Sequence, residues 1–283
     1  MKGTIYILVG LACSIFYGCH STTADTSNAP PSPVVSANNR DTMVTEKVMM
    51  VISSIPFPTD ILDTLYNVHA TYQSNMPNSV ENVNQYSQSN TQSINLGVYG
   101  ADLAYVISFE QFQQVGVYMK ATKAMTDKIG VPMAFTQNVF ERCQKNQNNK
   151  DSLTKIVFES YNIIDKELKE NKRNSSEVLV LAGGWIESIY LTTQSYNTNI
   201  GATAKLGIYH ILVTQKKYLD KLLNLLDVIN DSPYCQEISS SLHGIRTDFN
   251  GIGPDIAPDV DVIKSIDDKI NSLRTHIVKG GNA

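Results

Sequence analysis

The sequence predicts an all-α protein, a multi-helix bundle of about nine or ten helices that follows a signal peptide and a flexible tether. Apolar residues recur three and four positions apart through most of the chain after residue 41, whereas alternating, strand-like runs are few. Two segments, 93–109 and 178–196, are apolar on nearly every side. Such helices must be buried on every side, so these two should lie at the centre of the bundle.

The first residues have the pattern of an export signal. Lys2 precedes an apolar run over 5–17, which is the length expected of a secretory signal. The run ends in Phe16-Tyr17-Gly18-Cys19, which resembles a bacterial lipobox, although Tyr17 departs from the usual small or aliphatic residue. Cys19 is therefore the expected lipidation site and 1–18 the lipoprotein signal peptide. The alternatives are lipidation at Cys13, an ordinary cleaved signal, or an uncleaved anchor.

The next segment, 19–40, reads as a tether. It is polar, contains three prolines over 30–33, and lacks the apolar residues that a packed core requires. Residues 41–283 are then expected to form a single all-helical domain. This organisation predicts an exported protein of the cell envelope, held to the membrane by its N-terminal lipid on the periplasmic face or the cell surface.

Helix start and stop signals divide the domain into its elements. In chain order, the predicted helices cover 42–54, 61–72, a short polar stretch capped by Asn78 or Ser79, 93–109, 110–128, 133–145, 153–170, 178–196, 203–230, 233–249 and 260–278. Pro56, Gly130-Val131-Pro132 and Asp231-Ser232-Pro233 mark three of the boundaries. The last helix, within 259–279, could lie at the periphery of the bundle.

The two apolar helices share an unusual composition. Each contains closely spaced small residues: Gly97, Gly100, Ala101 and Ala104 in the first, and Gly183 and Gly184 in the second. Glycine costs a helix roughly 1 kcal/mol relative to alanine, so these positions suggest close contact with a neighbouring helix. Each helix also carries a single acid near its middle, Asp102 or Glu187, and the second contains the only tryptophan.

A buried carboxylate needs a partner or a raised pKa, so the two acids mark a candidate buried polar site. Together with aromatic residues of the same two helices they form the candidate set: Asp102, Glu187, Tyr99, Tyr105, Trp185 and Tyr190. Three interpretations stay open: a structural pin whose partners are Tyr hydroxyls or a Lys, a small-molecule site, or the acid pair of a hydrolase. The small residues beside the acids favour tight packing over the open cleft that a hydrolase requires.

Other chemistry is not indicated. The chain has 23 basic and 27 acidic residues without a basic patch, which argues against nucleic-acid binding. Phosphate-binding glycine loops and a nucleophile elbow are missing from the sequence. The histidines are scattered, so neither a metal nor a cofactor is expected, and His210 is expected in the core. Export permits a disulfide between Cys143 and Cys235, with two separate thiols as the alternative.

The segments INLGVYGADLAYV and LAGGWIESIYLTTQ together resemble a group of uncharacterised exported helical lipoproteins of Gram-negative bacteria. The resemblance covers most of 45–230 and implies a helical fold and export, without an activity or catalytic residues. The resulting hypothesis is a non-enzymatic envelope lipoprotein that acts as a helical scaffold or interaction module. A small-molecule-binding, sensory-type bundle with a polar site near Asp102 and Glu187 is the alternative, and an envelope hydrolase comes after it.

Overall fold

The computed structural model describes residues 55, 57–198, 200–229 and 232–281, and within these residues the fold is all-α, as predicted. Its α-helices, numbered in chain order, are α1 (Pro58–Asn67), α2 (Ser89–Ser108), α3 (Phe112–Lys128), α4 (Gln137–Lys145), α5 (Lys150–Glu170), α6 (Asn174–Tyr196), α7 (Ala202–Val228), α8 (Pro233–Asp248) and α9 (Val260–Val278). Short 3-10 helices cover Val80–Gln85, Pro132–Phe135 and Phe249–Gly251. The predicted signal peptide, Cys19, the tether and the predicted helix 42–54 lie outside the described residues.

Several helix ends follow the local signals in the sequence. The Asp259 side chain caps α9 by accepting hydrogen bonds from the backbone N–H groups of Asp261 and Val262. Ser232 caps α8 in the same way, and α3 ends just before Gly130, which has a φ of 72°. No helix in the described part of the chain has both the length and the hydropathy needed to cross a membrane.

Two predicted helices are shorter than the periodicity indicated. The one expected over 61–72 ends at Asn67, because His69 adopts the left-handed conformation with a φ of 60°. The one expected over 133–145 is divided at Thr136, whose extended backbone separates the 3-10 helix Pro132–Phe135 from α4. Both departures occur where apolar spacing continues past the point at which the backbone turns.

The core consists of two hydrophobic clusters that share α2. One cluster lies among α1, α6, α7, α8 and α9, and the other among α2, α3, α4 and α5. Helix α2 contributes Ile94 and Val98 to the first cluster and Leu96 and Tyr99 to the second. It is therefore buried around its whole circumference, as its apolar sequence predicts.

Helices α2 and α6 touch through their backbones. A β-carbon added at Gly183 would lie 1.9 Å from the carbonyl oxygen of Ile94, and one added at Gly97 would lie 2.0 Å from the carbonyl oxygen of Val180. Gly184 is less confined, since its β-carbon would lie 3.1 Å from the ring of Pro58. The glycine positions thus reflect a helix contact too close for any side chain, as the sequence suggested.

The last helix is part of the core. Helix α9 packs against α6 and α8, and it buries Ile266, Ile270 and Ile277 in the first cluster. Gln194 and Asn197, at the end of α6, donate hydrogen bonds of 2.7 Å to the two carboxylate oxygens of Asp267. Helix α9 is therefore not at the periphery of the bundle, which was the position considered from the sequence.

The two cysteines of the domain do not pair with each other. Cys143 is a buried, free thiol in the cluster of α2–α5, whereas Cys235 lies buried in the other cluster. Burial raises the pKa of the Cys143 thiol to about 11. The alternative of two separate thiols is the one that the structure supports.

The helix contact leads to a test by substitution with alanine. We expect Gly183→Ala to lower the free energy of unfolding by about 1–3 kcal/mol, because its methyl group meets the backbone of α2, which cannot move away cheaply. Gly244→Ala is the matched control, since Gly244 is an exposed helical glycine with no atom near its added β-carbon. The control should be neutral or stabilising by up to about 1 kcal/mol. Urea unfolding measures both variants, and a Gly183→Ala protein as stable as the control would contradict the close contact.

Candidate functional site

The two core acids meet where α2 crosses α6. Asp102 comes from α2 and Glu187 from α6, and both side chains are fully buried, with an exposure of 0%. Among the described residues, Oδ1 of Asp102 has no hydrogen-bond donor, and the neighbouring Glu187 carboxyl group raises the pKa of Asp102. A proton shared between the two carboxyl groups would supply the missing hydrogen bond.

A third charged residue completes this cluster. Arg274, from α9, donates from Nε to Oε2 of Glu187 at 2.9 Å and from Nη2 to Oε1 at 3.0 Å. Its guanidinium also lies 4.5 Å from the centre of the Tyr190 ring. A bidentate pair of this kind is the strongest form of arginine–carboxylate contact, so Glu187 is the acid that pairs with Arg274. We call Asp102, Glu187 and Arg274 the core triad.

The charges of the core triad balance. Burial raises the pKa of Asp102 well above its usual range, the neighbouring Glu187 carboxylate raises it further, and Arg274 only partly opposes them. The raised pKa favours the protonated form of Asp102, and Arg274 forms its ion pair with Glu187. A net charge of zero is what a fully buried polar cluster needs, because an unpaired charge there is very costly.

The core triad also fixes a turn that follows α1. Arg274 Nη2 donates to the carbonyl oxygen of Met76 at 3.1 Å, and Oδ2 of Asp102 accepts from the backbone N–H of Asn78 at 3.1 Å. The side chain of Asn78 donates to the Tyr86 hydroxyl, which itself donates to the carbonyl oxygen of Val278 at the end of α9. The triad thus joins three helices and one turn in a single hydrogen-bonded unit.

The aromatic residues of the predicted site are only partly brought together. Tyr190 contacts the triad through Arg274, and the Tyr99 hydroxyl donates at 2.8 Å to the carbonyl oxygen of Ser79 in the adjoining turn. The Tyr105 hydroxyl instead accepts from the backbone N–H of Gln73. Trp185 packs near Phe249, and its Nε1–H has no acceptor among the described residues. The predicted partners, Tyr hydroxyls or a Lys, are replaced by an arginine and a main-chain N–H.

The geometry of the core triad suits a structural role better than a catalytic one. Among the described residues, neither acid lines the groove of about 500 Å³ next to α5 or any of three other pockets. Hydrolysis by paired carboxylates needs room for a substrate and a water between them. Within the described residues, no three His, Cys, Asp or Glu side chains are grouped to hold a metal ion.

The position predicted for His210 is wrong. His210 was expected in the core, but its side chain is exposed on α7.

A second polar cluster lies away from the triad, in a groove of about 500 Å³ between the start of α1, α5 and α6. Glu177 in the first turn of α6 lines this groove and is only 3% exposed, yet neither of its carboxylate oxygens has a hydrogen-bond donor among the described residues. Its nearest cation is Lys169, whose Nζ lies 3.6 Å from Oε1 and donates at 2.7 Å to Asp165. We call these three residues the groove cluster.

Burial and the neighbouring Asp165 together raise the pKa of Glu177 to about 8, despite the opposing effect of Lys169. The burial of Glu177 could not be predicted from the sequence, because an acid in the first turn of a helix is ordinarily a favourable and exposed residue. Arg274 was missed for a related reason: one arginine on an amphipathic helix usually lies on its solvated face.

Neutral Asp102 and charged Glu187 predict different effects of isosteric substitution. We expect Asp102→Asn to cost less than about 1 kcal/mol, because the amide accepts from Asn78 and donates to Glu187 as the protonated acid does. Glu187→Gln should cost about 3–5 kcal/mol, since it leaves Arg274 as an unpaired buried cation. Denaturant unfolding measures both, with Asp127→Asn in the exposed Lys123–Asp127 pair as the surface control. Equal losses from the two core variants would contradict the assigned charges.

The raised pKa of Glu177 predicts a pH-dependent effect on stability. The folded protein keeps the Glu177 proton between pH 4.5 and about 8, while the unfolded chain releases it near 4.5. Stability therefore falls as pH rises through this window. Relative to wild type, Glu177→Gln should gain at least about 1 kcal/mol in free energy of unfolding from pH 5 to pH 9. The half-exposed Glu159, paired with Arg142, provides the control Glu159→Gln, for which the difference should stay constant. A constant difference for Glu177→Gln as well would show that Glu177 is ionised throughout.

Comparisons with known proteins do not assign the chain to a family. No protein-family model matches it, and neither a curated protein nor a solved structure gives a match. The resemblance of the α2 and α6 segments to exported helical lipoproteins therefore stays a prediction.

Proposed function

We propose that the protein is a lipid-anchored helical scaffold or interaction module of the cell envelope and that it does not catalyse a reaction. The observation that carries the non-catalytic part is the closed core triad. Its acids, the best catalytic candidates in the sequence, are fully buried and bonded to Arg274 and a main-chain N–H. They stabilise the contact of α2, α6 and α9, and among the described residues neither acid lines any of the four pockets considered above.

The anchored part of the proposal rests on the sequence. The apolar run over 5–17, the lipobox-like residues that end in Cys19, and the polar tether are the parts that an anchored domain requires. A polar tether separates a folded domain from the membrane surface without itself requiring a core. The domain after it would then be free to contact a protein partner at the envelope.

Anchoring is tested at the mature N-terminus. We expect the protein to fractionate with membranes, and the mass of its N-terminal peptide to correspond to an acylated Cys19. Cys19→Ser should prevent acylation and leave the precursor unprocessed or release the protein. Cys13→Ser is the matched control and should leave processing unchanged. An unmodified mature N-terminus in wild type would exclude the lipid anchor, and loss of acylation only in Cys13→Ser would move the anchor to Cys13.

The non-catalytic part is tested in cells that lack the gene. Because Asp102→Asn keeps the hydrogen bonds of the core triad, it should restore any phenotype of the deletion as fully as wild type does. Normal amounts of a stable Asp102→Asn protein that fails to complement would instead indicate that the acid takes part in chemistry. Glu187→Gln does not serve this test, because it is expected to destabilise the fold.

A further inference from the structure

One continuous surface runs along α5 and α6 beside the start of α1. The groove of about 500 Å³ and a smaller pocket next to it have five lining residues in common: Ile55, Phe57, Tyr161, Val180 and Leu181. All of these shared residues are aliphatic or aromatic. The two cavities are therefore parts of one surface with an apolar centre, which we call the extended groove.

The extended groove has the dimensions of a site for a helix. Its lining residues on α6 recur at helical spacing: Glu177, Val180, Leu181, Gly184, Trp185 and Ser188. Those on α5 extend from Phe158 to Lys169. Each of these two faces is about 17 Å long at the rise of an α-helix. A third helix of about three turns fits along a surface of this length.

The described chain begins inside this surface. Ile55 lines both parts of the extended groove, and the ring of Phe57 makes edge contacts with the rings of Phe158 and Tyr161 at centroid distances of 5.3 and 4.9 Å. The residues that precede Ile55 are therefore covalently attached at the groove. Such attachment gives a segment a much higher local concentration at the surface than a separate partner has.

The sequence just before the groove has the pattern of a helix with one apolar face. Its stripe residues are spaced four, three and four positions apart: Val44, Val48, Val51 and Ile55. A helix places them on one side and Ser53 on the opposite side, and it spans about 17 Å from the first to the last. A helix of this length is marginal in water by itself, so it needs an apolar surface to pack against.

We propose that the extended groove is the docking site of the chain's own segment 42–54, which packs there as an amphipathic helix with its valine stripe against α5 and α6. The stripe and the groove match in length and in apolar character, and the attachment at Ile55 brings them together. The occupant of this surface is thus part of the same molecule rather than a second protein. This assignment is independent of lipid anchoring, so each can fail without the other.

The test is a photo-cross-link from the α7 side of the groove, in cells that express the full-length chain. Tyr218 lines the groove, so Tyr218→p-benzoylphenylalanine introduces a photoreactive ring there. After irradiation, mass spectrometry should find the peptide of position 218 joined to segment 42–54 in a product of monomer mass. Tyr66, an exposed tyrosine outside the groove lining, provides the matched control Tyr66→p-benzoylphenylalanine, which should not join this segment.

The other products of irradiation would overturn the proposal. A product of dimer mass would identify a second copy of the chain as the occupant, and a cross-link to a different protein would identify a separate partner. Irradiation without any cross-link to segment 42–54 would likewise reject the docking.

Two variants test whether the valine stripe makes the contact. Val48→Asp places a charge on the stripe, and because burial of an unpaired charge is very costly, the yield of the cross-link should fall about tenfold or more. Ser53→Asp adds the same charge to the opposite face and should leave the yield unchanged. Equal yields from the two variants would show that the segment does not dock through this face.

Hydrogen exchange of the wild-type protein provides a measurement that does not depend on the folding of a variant. Amides of 48–54 should exchange at least about tenfold more slowly than those of the tether, after correction for intrinsic rates, because a docked helix protects its N–H groups. Equal exchange in the two segments would contradict a docked helix.

Discussion

The backbone contact between α2 and α6 determines most of what is unusual in this protein. Gly97 and Gly183 let the two helices approach until carbonyl oxygens of one lie where side chains of the other would be. Asp102 and Glu187 lie about one turn further along the same helices, so the approach that joins the backbones also brings the two acids together. Neither acid can then reach water, and the surrounding structure must neutralise both.

Arg274 is the cation that pairs with Glu187, and a proton on Asp102, which its raised pKa favours, would neutralise the second acid without a second cation. A second buried cation would have needed its own desolvation and its own space, whereas a proton needs neither. This arrangement makes a strict demand on geometry, because each carboxyl oxygen of the pair needs a hydrogen-bond donor. Asn78, Arg274 and the shared proton meet that demand together, so the turn before the first 3-10 helix is ordered by the core instead of by its own residues.

Much of the fold could be predicted from the sequence, since buried helices and their close contact leave a local signal in composition and spacing. The limits of α9 and the small-residue face of α2 are such cases. The end of α1 at Asn67 could not be predicted in this way, because apolar spacing continues beyond it. Arg274 lies 87 positions from Glu187, and the burial of Glu177 depends on α5. Contacts between distant segments of this kind are set by tertiary packing, which a single sequence does not record.

The ion pair of Arg274 with Glu187 has a consequence for the cooperativity of the fold. Without α9, packing of α2 against α6 would bury two acids that lack their cation, and this penalty couples the α2–α6 contact to the docking of α9. Asn95 and Tyr86 likewise donate hydrogen bonds to the carbonyl oxygens of Ile277 and Val278, at the end of α9. The end of α9 is therefore tied to α2 and to the segment before it, as well as to α6.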